Sequence, residues 1–386
     1  MERKFARRTE GLVQSDIRRM TRECEKVMGI NLGQGICDQP TAPLIKAAAS
    51  EAIASDRSTY SKFEGIDLLR RRISAKASAY NGIDCDPDTQ VIVTVGSTGA
   101  FAIACLALLD SGDEAIVFSP YYSYHVNLIR MCGGIPIFVP LEPPSWRFEP
   151  SALESAFTRR TRLVVINTPC NPCGKVFTEP ELRLIGDLCR RGGALAITDE
   201  IYEYILFEGR RHVSLASLPG MADHTVTLSG FSKTYSMTGW RLGYAIAPPD
   251  IAARMGVLND LLYICAPTPL QHGVAAAFDL PDSYYEEMRA AYGMKREMLV
   301  SACRDAGMKP FVPEGAYYFL ADISGLGLKN DREASAFLLA TTGIATVPGG
   351  SFHADPENGS QQVRLCFAKQ LPELEEACRR LRRRSS

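Results

Sequence analysis

The chain of 386 residues is longer than one small core requires and fits two domains, or one large domain with an elaboration. Its 43 basic and 44 acidic residues leave a formal charge of −1, which excludes a strong field for nucleic acid or an anionic membrane surface. Apolar runs stay well short of the roughly 18 residues of a membrane helix, and the charged N-terminus has no secretory h-region. We therefore expect a cytoplasmic protein with no nucleic-acid or membrane partner.

Twelve cysteines are scattered along the chain, several of them within apolar runs. This distribution is typical of small buried hydrophobic residues in a reducing compartment. Cys170 and Cys173 form a lone C-x-x-C, without the second pair that a structural zinc site usually needs. We therefore predict no metal site.

Residues 1–30 are expected to be mostly helical, with Ser15 as the cap of the helix and Gly29 at its end. From about residue 90, short apolar runs alternate with helical segments, which favours a mostly parallel sheet buried on both faces. The predicted strands are 91–95, 115–119, 162–167, 194–199, 226–229 and 243–247.

After about residue 275 the pattern changes to a long helix, three short strand-like runs (AYYFLADIS, IATVP and QVRLCFA), a helix among them and a final helix. This pattern indicates a second, smaller α/β unit. We predict an N-terminal segment (1–45) that joins the smaller domain, a large domain (46–275) and a small C-terminal domain (276–386).

Polar and small residues follow the carboxyl ends of the predicted strands, where an open parallel sheet binds its ligands. The run GSTGA, with Ser97 and Thr98, opens a helix and suits either a phosphate or a simple tight turn. Asn171 lies in the turn after 162–167. Asp199 ends its strand and suits either a helix cap or a carboxylate that holds a protonated ring nitrogen.

Lys233 and Arg241 follow the next strand. Burial would lower the pKa of the Lys233 amine and make it a nucleophile for a Schiff base, whereas the fork of Arg241 suits a phosphate. Each residue alone also has an ordinary surface interpretation. Together they match pyridoxal phosphate: Arg241 and the helix start for the phosphate, Asp199 for the ring nitrogen, Asn171 and Tyr202 for the ring hydroxyl, and Lys233 for the aldehyde.

Three motifs carry a family resemblance: S-K-T-Y-S-M-T-G-W-R-L-G from Ser232, N-P-x-G-K-V-F from Asn171, and D-E-I-Y from Asp199. With them, residues 31–364 resemble the class I/II aminotransferases, pyridoxal-phosphate enzymes of fold type I. The resemblance implies an α/β fold whose large domain has a mostly parallel mixed sheet sandwiched by helices, with a smaller α/β domain beside it.

The resemblance gives roles to four further residues. Gly35, in N-L-G-Q-G, resembles the glycine that contacts the substrate carboxylate, and Arg364 resembles the arginine that binds the α-carboxylate. Tyr122 resembles the aromatic residue that stacks on the cofactor ring. Tyr60 resembles the tyrosine that reaches the cofactor phosphate of a neighbouring subunit, which implies a homodimer with shared active sites.

Two positions depart from the family pattern. Gly230 stands where the family often has a phosphate-binding serine, so Ser232 is the candidate replacement. Tyr263 stands where aminotransferases dedicated to dicarboxylates carry an arginine. A phenol compensates the negative charge of a second carboxylate poorly. We therefore expect a substrate with an uncharged aromatic, apolar or amphipathic side chain.

The resemblance therefore implies an aminotransferase that moves an amino group between an L-amino acid and a 2-oxo acid through a Lys233 aldimine, with Lys233, Asp199 and Tyr202 as the catalytic residues. A β-C–S lyase or a cyclopropane-carboxylate synthase of the same fold type is the alternative, because the cofactor-binding residues do not separate these reactions. The amino donor, the acceptor and the pathway stay open.

Overall fold

The computed structural model describes residues 5–9, 12 and 14–383. Of the N-terminal stretch that we expected to be mostly helical, residues 1–4, 10, 11 and 13 lie outside the described part. The helix begins at Asp16 and ends at Lys26, and Ser15 precedes it without a side-chain capping bond. Within the described residues, each helix is too short or too polar to span a membrane.

The helices are α1 Asp16–Lys26, α2 Pro43–Ala54, α3 Asp67–Lys76, α4 Gly96–Leu108, α5 Ser123–Met131, α6 Pro150–Ala156, α7 Glu179–Gly192, α8 Pro249–Tyr263, α9 Thr268–Ala275, α10 Asp282–Asp305, α11 Asp331–Thr342 and α12 Leu371–Arg383. The strands are β1 Ile30–Asn31, β2 Val91–Thr94, β3 Glu114–Ser119, β4 Ile135–Pro140, β5 Thr161–Asn167, β6 Leu195–Asp199, β7 Thr225–Gly230, β8 Gly243–Ile246, β9 Lys309–Pro310, β10 Tyr318–Asp322, β11 Ile344–Ala345, β12 Val347–Pro348 and β13 Gln362–Cys366.

The larger sheet has seven strands in the order β2-β8-β7-β6-β5-β3-β4. The five strands from β7 to β4 are parallel to one another, whereas β8 is antiparallel to both β2 and β7. The predicted fold class, a mostly parallel mixed sheet with a smaller α/β unit, is confirmed. The sequence reading did not identify β4, a strand at the edge of the sheet.

Alternate residues of the central strands pack on opposite faces of this sheet. Ile116 and Val164 belong to one hydrophobic cluster, and Val117 and Val165 belong to another. Because successive side chains of a strand point to opposite faces, a continuous apolar run is what a sheet covered by helices on both sides requires.

The smaller sheet has the order β12-β13-β10-β9 and is antiparallel. The run IATVP, expected as one strand, is divided between β11 and β12. Strand β1 pairs in parallel with β11, and Met20 and Cys24 of α1 pack on Ala345. The N-terminal segment thus contacts the C-terminal unit; the boundaries after residues 45 and 275 stay a prediction.

Candidate active site

A cavity of about 440 Å³ lies at the carboxyl edge of the parallel strands. Neighbouring strands end there in register, with Asn167 of β5 beside Asp199 of β6. Because chain segments leave every parallel strand at this edge, residues far apart in sequence meet in one place. The predicted residues that line the cavity are Gly35, Ser97, Thr98, Tyr122, Asn171, Asp199, Tyr202, Ser232, Lys233, Arg241 and Arg364.

The first turn of α4 lies against the guanidinium of Arg241. Gly96 has a φ of 72°, and a Cβ there would lie 2.6 Å from a guanidinium nitrogen of Arg241. A Cβ at Gly243 would lie 2.5 Å from the backbone nitrogen of Ser97. Glycine at both positions therefore lets the guanidinium and the N–H groups at the helix start approach one another, as binding of a phosphate requires.

Gly230 is tightly packed, so the serine that the family often places there would require its neighbours to shift. A Cβ would lie 3.0 Å from the Cα of Gly243 and 3.0 Å from a side-chain carbon of Ile201. Ser232, two residues on, lines the cavity instead. Close packing between β7 and β8 thus accounts for the departure, and the phosphate role of Ser232 stays a prediction.

Asp199 is buried at the end of β6 and is held from several directions. Its Oδ2 lies 2.9 Å from Nε2 of His125, and its Oδ1 accepts a hydrogen bond from the backbone N–H of Ile201 at 3.3 Å. Its backbone carbonyl accepts from the side chain of Asn167 at 3.0 Å. This carboxylate is therefore fixed in orientation while it faces the cavity.

Directly behind Asp199, a buried polar cluster supports the segment that carries Tyr202. The ligand-type atoms of Glu200, Glu203 and His212 lie within 4.8 Å of one another, but Lys76 forms an ion pair with Glu203 at 2.5 Å. Burial alone would raise the pKa of Glu203, whereas Lys76 and His212 lower it below its ordinary value. The Lys76 ammonium group thus already compensates the charge of the Glu203 carboxylate, and we interpret the cluster as structural.

Aromatic rings form one side of the cavity. Tyr122 stacks on Tyr124 with ring centres 5.0 Å apart and planes at 8°, and it meets His125 edge-on at 5.4 Å. The hydroxyl of Tyr202 lies 3.4 Å from that of Tyr318. Burial raises the pKa of Tyr202 well above its ordinary value, so its hydroxyl is a proton donor at neutral pH.

Arg364 of β13 is fully buried, and its hydrogen-bond partners are neutral. It donates to Oδ1 of Asn171 at 2.7 Å and to the carbonyl of Gly33, and its guanidinium lies 4.4 Å from the ring centre of Tyr318. Its Nε is buried without a hydrogen-bond partner among the described residues. A buried charge without an acidic partner is costly, so this geometry is suited to an incoming carboxylate.

Lys233 follows β7 and points into the same cavity. Its Nζ donates to the carbonyl of Gly35 at 3.3 Å and lies 5.7 Å from the ring centre of Tyr317 and 5.9 Å from that of Tyr202. Desolvation lowers the pKa of Lys233 below its ordinary value. The neutral amine, which is the nucleophilic and basic form, is therefore easier to populate.

Glycine is required at position 35 because the side chain of Tyr318 approaches its Cα closely, not because of its backbone angles. A Cβ at this position would overlap the hydroxyl of Tyr318, while the Gly35 carbonyl accepts from both Lys233 and Tyr317. The loop after β1 therefore closes directly over the lysine.

Two predicted residues lie outside this cavity. Tyr60 is 77% exposed, and Tyr263 is partly exposed beside Gly99, at the back of the first turn of α4. Neither reaches the cavity of its own chain, so their roles stay predictions for a site completed by a second subunit.

Sequence reasoning missed several residues of the site, among them His125, Tyr124, Tyr318 and Arg18. His125 follows Tyr122 by one helical turn on α5, and that spacing was the available signal. Tyr124 follows Tyr122 by two residues on α5, whereas Tyr318 of β10 and Arg18 of α1 reach the cavity only through tertiary packing, which no local pattern encodes.

The chain belongs to the class I/II aminotransferase family: residues 27–381 match the family described as aminotransferase class I and II. These are pyridoxal-phosphate-dependent transaminases of fold type I, so the predicted family, cofactor and enzyme class are confirmed.

Named relatives match this chain over nearly its whole length. The chain is 33% identical to kynurenine–oxoglutarate transaminase 3 of Rattus norvegicus, over 97% of this chain and 89% of that protein. It resembles the structure of N-succinyldiaminopimelate aminotransferase from Mycobacterium tuberculosis with a TM-score of 0.95 and 32% identity, covering 98% and 99%. YbdL from Escherichia coli, identified with a methionine aminotransferase function, matches with a TM-score of 0.94 and 31% identity, covering 99% and 100%.

Proposed function

We propose that this transaminase exchanges the amino group between an L-amino acid with an uncharged aromatic, apolar or amphipathic side chain and a 2-oxo acid. One observation carries the proposal: the amine of Lys233 faces the same cavity as Arg364, whose buried charge lacks an acidic partner. An amine beside a carboxylate-binding site suits a substrate that carries a carboxylate next to its reacting carbon.

The cavity residues fit pyridoxal phosphate. Arg241, beside the glycine at the start of α4, would hold the phosphate together with Ser97, Thr98 and Ser232. When bound, the cofactor supplies an electron sink that makes loss of the α-proton of an amino acid possible.

Four residues would fix the ring. Asp199, itself oriented by His125, would accept a hydrogen bond from the ring nitrogen, and Tyr122 would lie against the ring face. Since the amide oxygen of Asn171 accepts from Arg364, its amide nitrogen would donate to the ring hydroxyl oxygen, as would the hydroxyl of Tyr202.

Lys233 would serve twice. Its Nζ would hold the cofactor while no substrate is bound, and with a substrate in place the same amine would take the proton from the substrate α-carbon. The lowered pKa of this lysine supports both roles, because each needs the neutral amine at Nζ. Arg364 would hold the α-carboxylate with its two terminal nitrogens, which orients every substrate alike.

The proposed substrate class is supported by the walls beyond Arg364. Ile17, Ile36 and Tyr124 line the cavity and offer apolar and aromatic surface to a substrate side chain. Tyr263, which stands where a second arginine would be, would line the substrate pocket of a neighbouring subunit.

We further propose that the protein is a homodimer working in a reducing compartment such as the cytoplasm. Tyr60 is 77% exposed, and Leu261, Leu262 and Ile264 leave apolar surface at the end of α8. Ser61 donates from its backbone to Thr268 at the start of α9, so these residues share one side of the molecule. Several exposed apolar side chains on one side of the molecule support a protein interface, and twelve free cysteines support a reducing compartment.

The Lys233→Ala variant should keep its affinity for the cofactor, because the phosphate contacts remain, but should lose turnover. General acid–base catalysis contributes roughly 10²–10⁴-fold, so at least that loss is expected in steady-state rates. The visible absorbance of the bound cofactor should change as well. The exposed Lys26→Ala variant serves as the control and should match the parent. Wild-type turnover in Lys233→Ala would contradict the mechanism.

A substrate panel tests the proposed side-chain class. Phenylalanine, kynurenine, methionine and glutamine should each exceed aspartate in kcat/KM with a common 2-oxo acid, because apolar walls compensate a second charge poorly. The assay should also follow pyruvate and ammonia from an S-substituted cysteine, which a lyase would release. Aspartate preferred about tenfold or more, or a lyase product without amino transfer, would overturn the proposal.

Sedimentation velocity tests the dimer. The wild type should sediment as a dimer, and Leu261→Glu should give a monomer that binds the cofactor more weakly, since the phosphate contact of Tyr60 comes from the partner. Met294→Glu, at a residue 48% exposed on α10, is the matched control and should stay dimeric. A monomeric wild type with full activity would refute the shared site.

A further inference from the structure

Tyr317, the residue directly before β10, is a fully buried tyrosine to which the proposed function assigns no role. Its hydroxyl donates to the backbone carbonyl of Gly35 at 3.2 Å. The same carbonyl accepts a hydrogen bond from Nζ of Lys233 at 3.3 Å. One backbone oxygen thus connects the phenol of Tyr317 to the amine that the proposed chemistry uses.

The side chain of Tyr317 is held in one orientation. Its backbone carbonyl accepts from the N–H of Phe367 at 3.0 Å. Its ring meets the ring of Tyr202 edge-on, with centres 5.1 Å apart and planes at 86°, and lies 5.8 Å from the ring centre of Tyr292. Packing on both sides therefore fixes the direction in which the hydroxyl donates, towards Gly35.

The shared carbonyl has a consequence for the protonation of Lys233. A carbonyl oxygen has two lone pairs, and here one accepts from a neutral hydroxyl and the other from the amine. The hydroxyl hydrogen compensates part of the negative end of the carbonyl dipole, so less of that dipole is available to stabilise an ammonium group. Since a hydrogen bond to the charged form favours that form, Tyr317 acts in the same direction as desolvation, which lowers the pKa of Lys233.

Resting on the proposed function, we infer that Tyr317 is a positioning residue for Lys233: through the Gly35 carbonyl it keeps Nζ a neutral amine, held by one N–H, with its lone pair free for the substrate α-proton. A base must be unprotonated before it accepts a proton, and its lone pair must face the carbon that loses the proton. Tyr317 meets both needs without contact with the substrate, because it acts on the other side of the carbonyl.

Other titratable or charged groups surround Lys233 and have to stay unchanged in a test. They come from the loop after β1, from β6 and the segment after it, from the start of β8, and from β10 and β13: Cys37, Asp199, Tyr202, Arg241, Tyr318 and Arg364. Cys366 of β13 is a further neighbour, and burial raises the pKa of its thiol to about 12. The Tyr317→Phe variant keeps all of these groups and the ring, and it removes only the hydroxyl.

NMR of lysine labelled with carbon-13 at Cε tests the inference without turnover. The holoenzyme is loaded with pyridoxamine phosphate, which leaves Nζ of Lys233 as a free amine, and the Lys233 signal is assigned by its absence in Lys233→Ala. In Tyr317→Phe the titration midpoint of Lys233 should rise by roughly half a pH unit or more, as expected when the carbonyl turns wholly to the amine.

Tyr284→Phe is the matched control. It also removes a tyrosine hydroxyl that donates to a backbone carbonyl beside Lys233, at 2.8 Å, but that carbonyl belongs to Thr234 and not to Gly35. Its titration midpoint should equal that of the wild type. A midpoint that stays or falls in Tyr317→Phe, or that rises as much in Tyr284→Phe, would overturn the inference.

The pH profile of kcat supplies a second readout. In Tyr317→Phe the acidic limb should move to higher pH by the same amount as the NMR midpoint, while the plateau at high pH changes little. A purely structural role would lower kcat alike at every pH, and that result would also overturn the inference. The proposed function fails by a different result, the absence of amino transfer from every donor, while the NMR titration still decides the role of Tyr317.

Discussion

A guanidinium buried without an acidic partner is the constraint on which this active site depends. Arg364 is held by the amide oxygen of Asn171, the carbonyl of Gly33 and the ring of Tyr318, all of them neutral. Because desolvating a charge is costly, the protein must fix this side chain from several directions, and in the proposed function the substrate carboxylate supplies the missing negative charge. The same contacts join β13 to the loop after β1 and to the loop after β5. The residues that hold Arg364 therefore also connect the two sheets.

The larger sheet supplies the other half of the chemistry through its topology. Parallel strands β5, β6 and β7 end at one edge, which brings Asn171, Asp199 and Lys233 together although 62 residues separate the first from the last. Strand β8 runs the other way, so its start lies at the same edge and delivers Arg241. Glycines at 96 and 243 then allow the guanidinium to approach the start of α4.

Much of this arrangement could be predicted from the sequence, and the failures have physical reasons. Runs such as 162–167 are visible because both faces of a central strand are buried, and Asp199 and Lys233 directly follow such runs. Strand β4 was missed because its prolines and partly exposed residues are typical of an edge. His125 and Arg18 reach the site through tertiary packing, for which one sequence gives no signal, and Tyr60 and Tyr263 lie outside the cavity of their own chain.

The most direct measurement compares the rate at which the holoenzyme takes the amino group from phenylalanine with the rate for phenylalaninamide, which lacks the α-carboxylate, in the wild type and in Arg364→Met. A hydrogen bond to a charged group contributes about 1.5–3 kcal/mol, so the wild type should prefer the acid by at least about tenfold. Arg364→Met should lower this ratio to near one, and because the ratio is internal to each enzyme, a general loss of stability would not imitate the effect. An undiminished preference for the acid in Arg364→Met would contradict the account.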